Sequence, residues 1–331
     1  MSSTSPALGD LDCSTAVTAA AENAADVDTK ARFPVEAVNA MRDAGLLSAS
    51  LPSSLGGRDA GIAELARVAR QLGFACSSAA MVFAMHHTQA LSLRFHADRG
   101  QIADVTRRIA ESEALLASST TEITTGGDTG SSTCAVVSDG DEIVLEKNAP
   151  VISYGAEADY ICTTARRTPD SRPSDQVLVV CPSGDTELTQ TSEWNTLGFR
   201  GTCSPGFVLK TKTSARHVVP VPYSSISAHT MLPASHILWA SAWLGLADAA
   251  IAKTRGQVRA AARKSVGITT PQATKFADLL VIHQRMESSV DAEIRRYTEF
   301  LASDEEEPTI AFAIAMNNLK LSASIAVVDV V

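Results

Sequence analysis

Along residues 1–116, apolar positions recur at intervals of three and four in an alanine-rich background, which is the period of helices packed on one face. The segment from Phe33 to Leu47 shows this: Val38 and Met41 share a face, Pro34 suits a helix start, and Gly45 suits a C-terminal stop. Leu51-Pro52 and Gly56-Gly57 predict a loop, followed by helices over 62–72 and 77–96, the second apolar on nearly every side. From Ala117 the texture changes to Thr, Ser, Val and Gly with short alternating runs, and 133–137, 142–146, 160–165, 176–181 and 206–212 read as strands. After Pro222 the helical period returns over 234–263, 271–303 and 309–331. The pattern predicts an α+β fold: a helical domain at 1–116, a β-barrel or sandwich domain at 117–222 and a helical bundle at 223–331, with interfaces between them that suit a ligand.

Composition narrows the function classes. The 331 residues are 45% hydrophobic and 20% charged, enough for a sizeable core in two or three domains. A formal charge of -9 gives no whole-chain attraction to nucleic acid or an anionic membrane, so neither is expected as a partner. Six scattered cysteines without paired spacing predict small hydrophobes in a reducing compartment, and no His/Cys cluster suggests a metal. The first residues lack a basic stretch followed by an apolar one, so a cytoplasmic location is expected. The apolar stretch 309–331 is interrupted by Asn317, Asn318, Lys320 and Asp329 and reads as a buried bundle helix, not a membrane span. It ends without a Gly or Asn stop or a basic last turn, so the bundle is expected to be cut within a helix. The acidic run Asp304-Glu305-Glu306-Glu307 before Pro308 reads as a solvated connection.

Three segments in the middle carry the chemistry. They are Ser119-Thr120-Thr121-Glu122 with Gly127-Asp128, then Ile152-Ser153-Tyr154-Gly155, then Trp194 with Leu197-Gly198-Phe199-Arg200-Gly201-Thr202. Together with 33–57 and Leu244-Gly245-Leu246-Ala247-Asp248, they make the chain resemble the acyl-CoA dehydrogenase superfamily over nearly its whole length. The resemblance implies FAD, and an isoalloxazine edge needs amides and small hydroxyls on a rigid support. It places the flavin against Ser118, Ser119, Thr120 and Thr121, and against Val151, Ile152 and Ser153, where Val151 replaces an aromatic residue. Arg263, in Arg263-Lys264-Ser265-Val266-Gly267, resembles the arginine that grips a neighbouring subunit's FAD diphosphate, which implies a homodimer or homotetramer. Arg200 reads as structural, satisfying loop carbonyls.

The same resemblance implies α,β-desaturation of an acyl thioester, CoA- or carrier-bound, with electrons passed to an electron-transfer flavoprotein. Gly127 stands where relatives carry a substrate-touching serine. Ser235 stands at one of the family's glutamate positions and His236 where relatives carry an arginine, so no catalytic carboxylate is identified. His86 and His87, on the apolar helix near the expected substrate pocket, fit a second possibility, a flavin monooxygenase on the same fold. A third is a catalytically silent binding homologue.

Overall fold

The computed structural model describes residues 11–264, 270–303, 305 and 307–331. Five helices open the chain: α1 (Ser14–Lys30), α2 (Val35–Asp43), α3 (Ile62–Ala75), α4 (Ser77–His96) and α5 (Gln101–Glu111). Strands β1 (Leu116–Ser119), β2 (Val137–Asp139), β3 (Glu142–Ala149), β4 (Tyr160–Arg166), β5 (Gln176–Pro182), β6 (Thr186–Gln190) and β7 (Phe207–Ser214) follow. Then come α6 (Tyr223–Ile226), a π-helical turn (Ser227–Met231), α7 (Leu232–Lys264), α8 (Pro271–Ala302) and α9 (Ile310–Val330). The α+β order expected from the pattern is thus observed. Asp304, Glu306 and the Ser265-Val266-Gly267 part of the arginine motif lie outside the described residues.

The strands form two sheets. One is three-stranded in the order β1-β4-β5, with β1 parallel to β4; the other is antiparallel in the order β2-β3-β7-β6. β3 alternates exposed and buried, turning Ile143, Leu145, Lys147 and Ala149 inward, as a sheet with one solvated face should. β5 is buried at Val177, Leu178, Val179, Val180 and Cys181 because both its faces are covered. Val177 and Val179 join the inter-sheet core, whereas Leu178 and Val180 pack with Ile102, Val105 and Ile109 of α5. Its unbroken apolar run is therefore the signature of a doubly covered strand.

Two strands escaped the pattern. β1 is Leu-Ala-Ser-Ser, with little β propensity, and β6 is a polar edge strand. Conversely, 133–137 forms a strand only from Val137 on. The Thr133 and Cys134 amides donate to the Glu122 carboxylate (2.9 and 3.2 Å), so they are not available to a ladder.

Helix ends follow local chemistry. Thr270 and Thr309 accept from the amides of Ala273 and Phe312 as N-caps, with Pro271 in the first turn of α8. The tightest contact is the crossing of α3 and α7. A Cβ added to Gly73 would lie 2.2 Å from Ala242 O, and one added to Gly245 would lie 2.0 Å from Arg70 O. Beside it, Arg70 binds Asp248 (Nε–Oδ2 2.5 Å) and Glu287 (2.7 Å), and His283 Nε2 lies 2.6 Å from Asp248 Oδ1, joining α3, α7 and α8. His283, without context in the sequence, has a structural partner here.

α9 differs from the buried helix expected. Phe312, Met316, Leu319, Ala323 and Val327 are buried, but Ile310, Ile314, Leu321, Ile325 and Val328 are exposed. Among the described residues it is the one helix long and apolar enough to cross a membrane by length and composition. All six cysteines are free, five buried and Cys203 half-buried.

Because backbone lies where the new methyl would go, Gly245→Ala and Gly73→Ala are each expected to lose about 1–3 kcal/mol or more. Gly256→Ala, later in α7 with open space around it, is expected to gain up to about 1 kcal/mol from helix propensity. Urea unfolding of the three variants checks this; equal stabilities would show that α3 and α7 do not meet at these glycines.

Candidate functional site

α4, the exit of β1 and the start of α7 enclose a cavity of about 210 Å³. α4 contributes Met85, Thr88 and Gln89, a set one helical turn deep on one face. α7 contributes Leu232, Ser235, His236 and Trp239, spaced at i, i+3, i+4 and i+7. Ser118 and Thr120 come from β1 and the residue beyond it, Thr129 from the following loop, and Tyr223, Ser227 and Met231 from α6 and the π turn. The π turn inserts an extra residue per turn ahead of α7, a distortion often found at functional sites.

Four of the residues singled out in the sequence, Ser118, Thr120, Ser235 and His236, meet on this wall. Ser119 does not: alternation along β1 turns it the other way, fully buried, with no hydrogen-bond partner for its Oγ among the described residues. Thr121 is half-buried beside the wall. Gly126 and Gly127 lie exposed in the loop at φ +59° and +92°, and the wall contact comes instead from Thr129. Val151 is exposed, Ile152 is buried, and Ser153 is buried with Oγ 2.9 Å from Ser204 Oγ; none of these three lines the cavity. Arg263 sits exposed in the last turn of α7.

His86 and His87 are placed away from the cavity despite lying on its helix. The wall residues Met85, Thr88 and Gln89 share one face, and both histidines are fully buried on others. His86 Nδ1 accepts from Leu116 N–H (3.0 Å) and its Nε2–H donates to Leu47 O (2.7 Å), which fixes one neutral tautomer and holds the first residue of β1. His87 Nδ1 pairs with Ser50 Oγ at 2.9 Å. Neither histidine lines the cavity expected to take the substrate: His86 braces β1, and His87 is held through Nδ1 while its Nε2 has no partner among the described residues. From the other side, Tyr154 at φ +43° donates its hydroxyl to Leu116 O (3.0 Å), so β1 is pinned at both backbone groups of Leu116.

A buried ion pair fixes the segment just past β1. Glu122 accepts from the hydroxyls of Ser132 and Thr133, and Lys147, turned inward by the alternation of β3, reaches Glu122 Oε1 at 3.5 Å. Lys147 Nζ also donates to Thr164 O and Oγ1 (2.7 and 2.8 Å), and that hydroxyl lies 3.5 Å from Thr120 O. Burial pushes Glu122 upward, but its hydrogen bonds outweigh this and hold the carboxyl below its usual range. Burial lowers Lys147, partly offset by Glu122. The third sequence segment docks on the first helices: Arg200 Nε donates to Asp28 O (2.8 Å) and its Nη1 to Thr196 O (2.9 Å), as its structural reading expects. Gly201 sits so close to α1 that an added Cβ would lie 2.4 Å from Val27 Cγ1.

On the wall itself, burial lowers His236 to about 4, against the opposing hydrogen bond from its Nδ1–H to Met316 O (3.1 Å). It is neutral at pH 7, with Nε2 left as an acceptor. Among the described residues no Asp, Glu, Lys or Arg side chain lines the cavity, and no group of three metal-ligating side chains occurs. Gln89, Thr88, Met85 and Trp239 were not singled out in the sequence. The i, i+3, i+4, i+7 spacing from Leu232 through Ser235 and His236 is the signal that would have found Trp239, but nothing local marks Gln89.

Residues 14–113 match the acyl-CoA dehydrogenase, N-terminal domain family. Cyclohex-1-ene-1-carbonyl-CoA dehydrogenase of Geobacter metallireducens is 28% identical over 183 residues, 55% of this chain and 48% of that protein. The probable acyl-CoA dehydrogenase YngJ of Bacillus subtilis is 24% identical over 261 residues, 77% of this chain and 68% of that protein. The match thus spans about half the length of the first relative. FMN-bound TdsC from Paenibacillus sp. A11-2 shares the fold, with a TM-score of 0.81 at 17% identity over 96% of this chain and 84% of that one. TdsC is a dibenzothiophene monooxygenase. Over residues 14–113 the chain matches the acyl-CoA dehydrogenase N-terminal domain, and beyond them it is similar to acyl-CoA dehydrogenases in sequence and fold.

The buried histidines set an acid limit on the fold. Burial lowers His86, His96 and His236 to about 4 and lowers His87, His217 and His229 as well. A group whose folded-state value is depressed contributes stability above its unfolded value, near 6.5, and loses it as pH falls toward the folded one. At about 1.4 kcal/mol per tenfold in proton affinity, the drop from 6.5 to about 4 at the fully buried His86 is worth about 3 kcal/mol. Urea midpoints are expected to fall steadily from pH 6.5 to 4.5; a flat profile would show that these imidazoles protonate freely in the folded state.

Proposed function

We infer that the chain is a flavin-dependent oxidoreductase whose substrate enters the cavity between α4, β1 and α7. The observation that carries this is the convergence of Ser118 and Thr120, on a doubly pinned strand, with the Gln89, His236 and Trp239 wall. The residues fit a flavin: small hydroxyls and amides stand on a rigid edge, and Ser119 carries a buried hydroxyl without a partner among the described residues, whereas Ser153 Oγ already accepts from Ser204. FAD is the form the resemblance favours, with Ser118, Ser119, Thr120, Thr121, Val151, Ile152 and Ser153 beside the ring and Arg263 on the diphosphate of a neighbouring subunit's cofactor. When bound, the flavin supplies a two-electron acceptor for the substrate.

The first reading is α,β-desaturation of an acyl thioester, with electrons passed on to an electron-transfer flavoprotein; the acyl-CoA dehydrogenase relatives support it. The acyl group occupies the cavity, and Trp239 and the methionines exclude water around it. Of the wall groups, His236 Nε2 is the available proton acceptor, a weak one. The second reading is oxygenation of a small substrate on the same fold, favoured by the lack of a carboxylate among the described wall residues.

The test begins with the purified chain incubated separately with FAD and FMN and then gel-filtered. A yellow protein with a perturbed visible spectrum is expected, and loss of both flavins would end the oxidoreductase reading. Anaerobic bleaching by an acyl-CoA panel marks the first reading. Oxygen consumption with a supplied reductant and no bleaching by acyl-CoA marks the second.

Arg263→Ala is expected to weaken FAD retention severalfold while the unfolding midpoint stays unchanged, since the side chain is exposed. Unchanged retention in a concentration series that spans any oligomer would remove Arg263 from the cofactor site.

A further inference from the structure

Two polar groups on the cavity wall are buried without a partner. Gln89 is 2% exposed, and its Oε1 has no hydrogen bond among the described residues. Trp239, facing the same cavity from α7, has its indole Nε1–H buried in the same state. Three other wall groups are engaged within the protein: Thr88 Oγ1 donates to Ala84 O, Ser235 Oγ to Leu232 O, and His236 Nδ1 to Met316 O. An unpaired buried acceptor and donor each carry an uncompensated desolvation cost, and a ligand that pairs with both relieves it.

The remaining wall chemistry restricts that ligand. With no ionised side chain on the described wall and His236 neutral, an anion would leave water without a counter-charge. Met85, Met231 and the Trp239 ring offer polarisable, flat surfaces that favour a ring over a flexible chain. The cavity, about 210 Å³, has room for a ring with a short polar arm.

We propose that the group entering this cavity is compact, uncharged and ring-bearing, with an amide-like pair: an N–H or O–H donor to Gln89 Oε1 and a carbonyl-type acceptor for Trp239 Nε1–H. Gln89 and Trp239 are then the residues that set specificity. This rests on the reading of the cavity as the substrate site. The group is the acyl part of a thioester under dehydrogenation and the whole substrate under oxygenation.

The probes are benzamide, benzoate and toluene, titrated by calorimetry into the full chain with and without bound flavin. Benzamide is expected to bind at least tenfold more tightly than benzoate. Gln89→Leu is expected to lower benzamide affinity about tenfold relative to toluene, and Trp239→Phe to shift it in the same direction. Benzoate binding as well as benzamide in the unmodified protein, or no benzamide binding at all, overturns the proposal without recourse to a variant. An unchanged benzamide-to-toluene ratio in folded Gln89→Leu overturns it as well. Flavin retention without benzamide selectivity defeats this inference alone; benzamide selectivity in a chain that holds no flavin defeats the cofactor reading alone.

Discussion

The close crossing of α3 and α7 is the constraint from which the cavity follows. Gly73 and Gly245 let each helix backbone reach the other's carbonyls, and no residue with a side chain fits at either point. At that separation the rotation of α7 about its axis is fixed, since Gly245 must face α3. The Arg70–Asp248–His283 and Arg70–Glu287 contacts hold the same azimuth from beside the crossing. Asp248 sits three residues beyond Gly245, so charge and close packing agree on one face. About two to four turns earlier on the same helix, Leu232, Ser235, His236 and Trp239 are thereby directed at the cavity.

The opposite wall depends on how β1 is held. A strand of four residues with one neighbour in its sheet has few ladder bonds of its own, so its position comes from outside. His86 binds its first amide, Tyr154 its first carbonyl, and the Glu122–Lys147–Thr164 network fixes the chain just past its end. The buried pair is costly in desolvation, and removing one member would strand the other. Its geometric effect is to tie the Thr120–Glu122 segment to both sheets at once: Lys147 belongs to the four-stranded sheet and Thr164 to the three-stranded one. Residues that read as chemistry in isolation, His86 above all, thus act as scaffold for small hydroxyls that do not stand out.

Long elements were legible because periodicity averages over many residues. The limits of α4 coincide with the pattern, and α8 begins at its proline. β1, β6 and the start of β2 were not, because their backbone partners come from distant residues or from a side chain, Glu122, that captures amides a strand would use. On α9 the error was one of degree. Apolar residues all round read as full burial, but packing on α7 and α8 covers only the Phe312, Met316 and Leu319 side.

For the site, the sequence by itself determined the element types, the small-hydroxyl edge at Ser118–Thr121 and the family resemblance, since these depend on residue type and short spacing. Only the tertiary structure decided which hydroxyls face the cavity, that His86 and His87 turn into the core, and that Gln89 and Trp239 meet there unpaired. A position one residue along a helix rotates by about 100°, and one along a strand flips the face. Which face borders a cavity is set by the neighbour it packs against, and that neighbour lies up to 150 residues away in the chain, as Gln89 and Trp239 do.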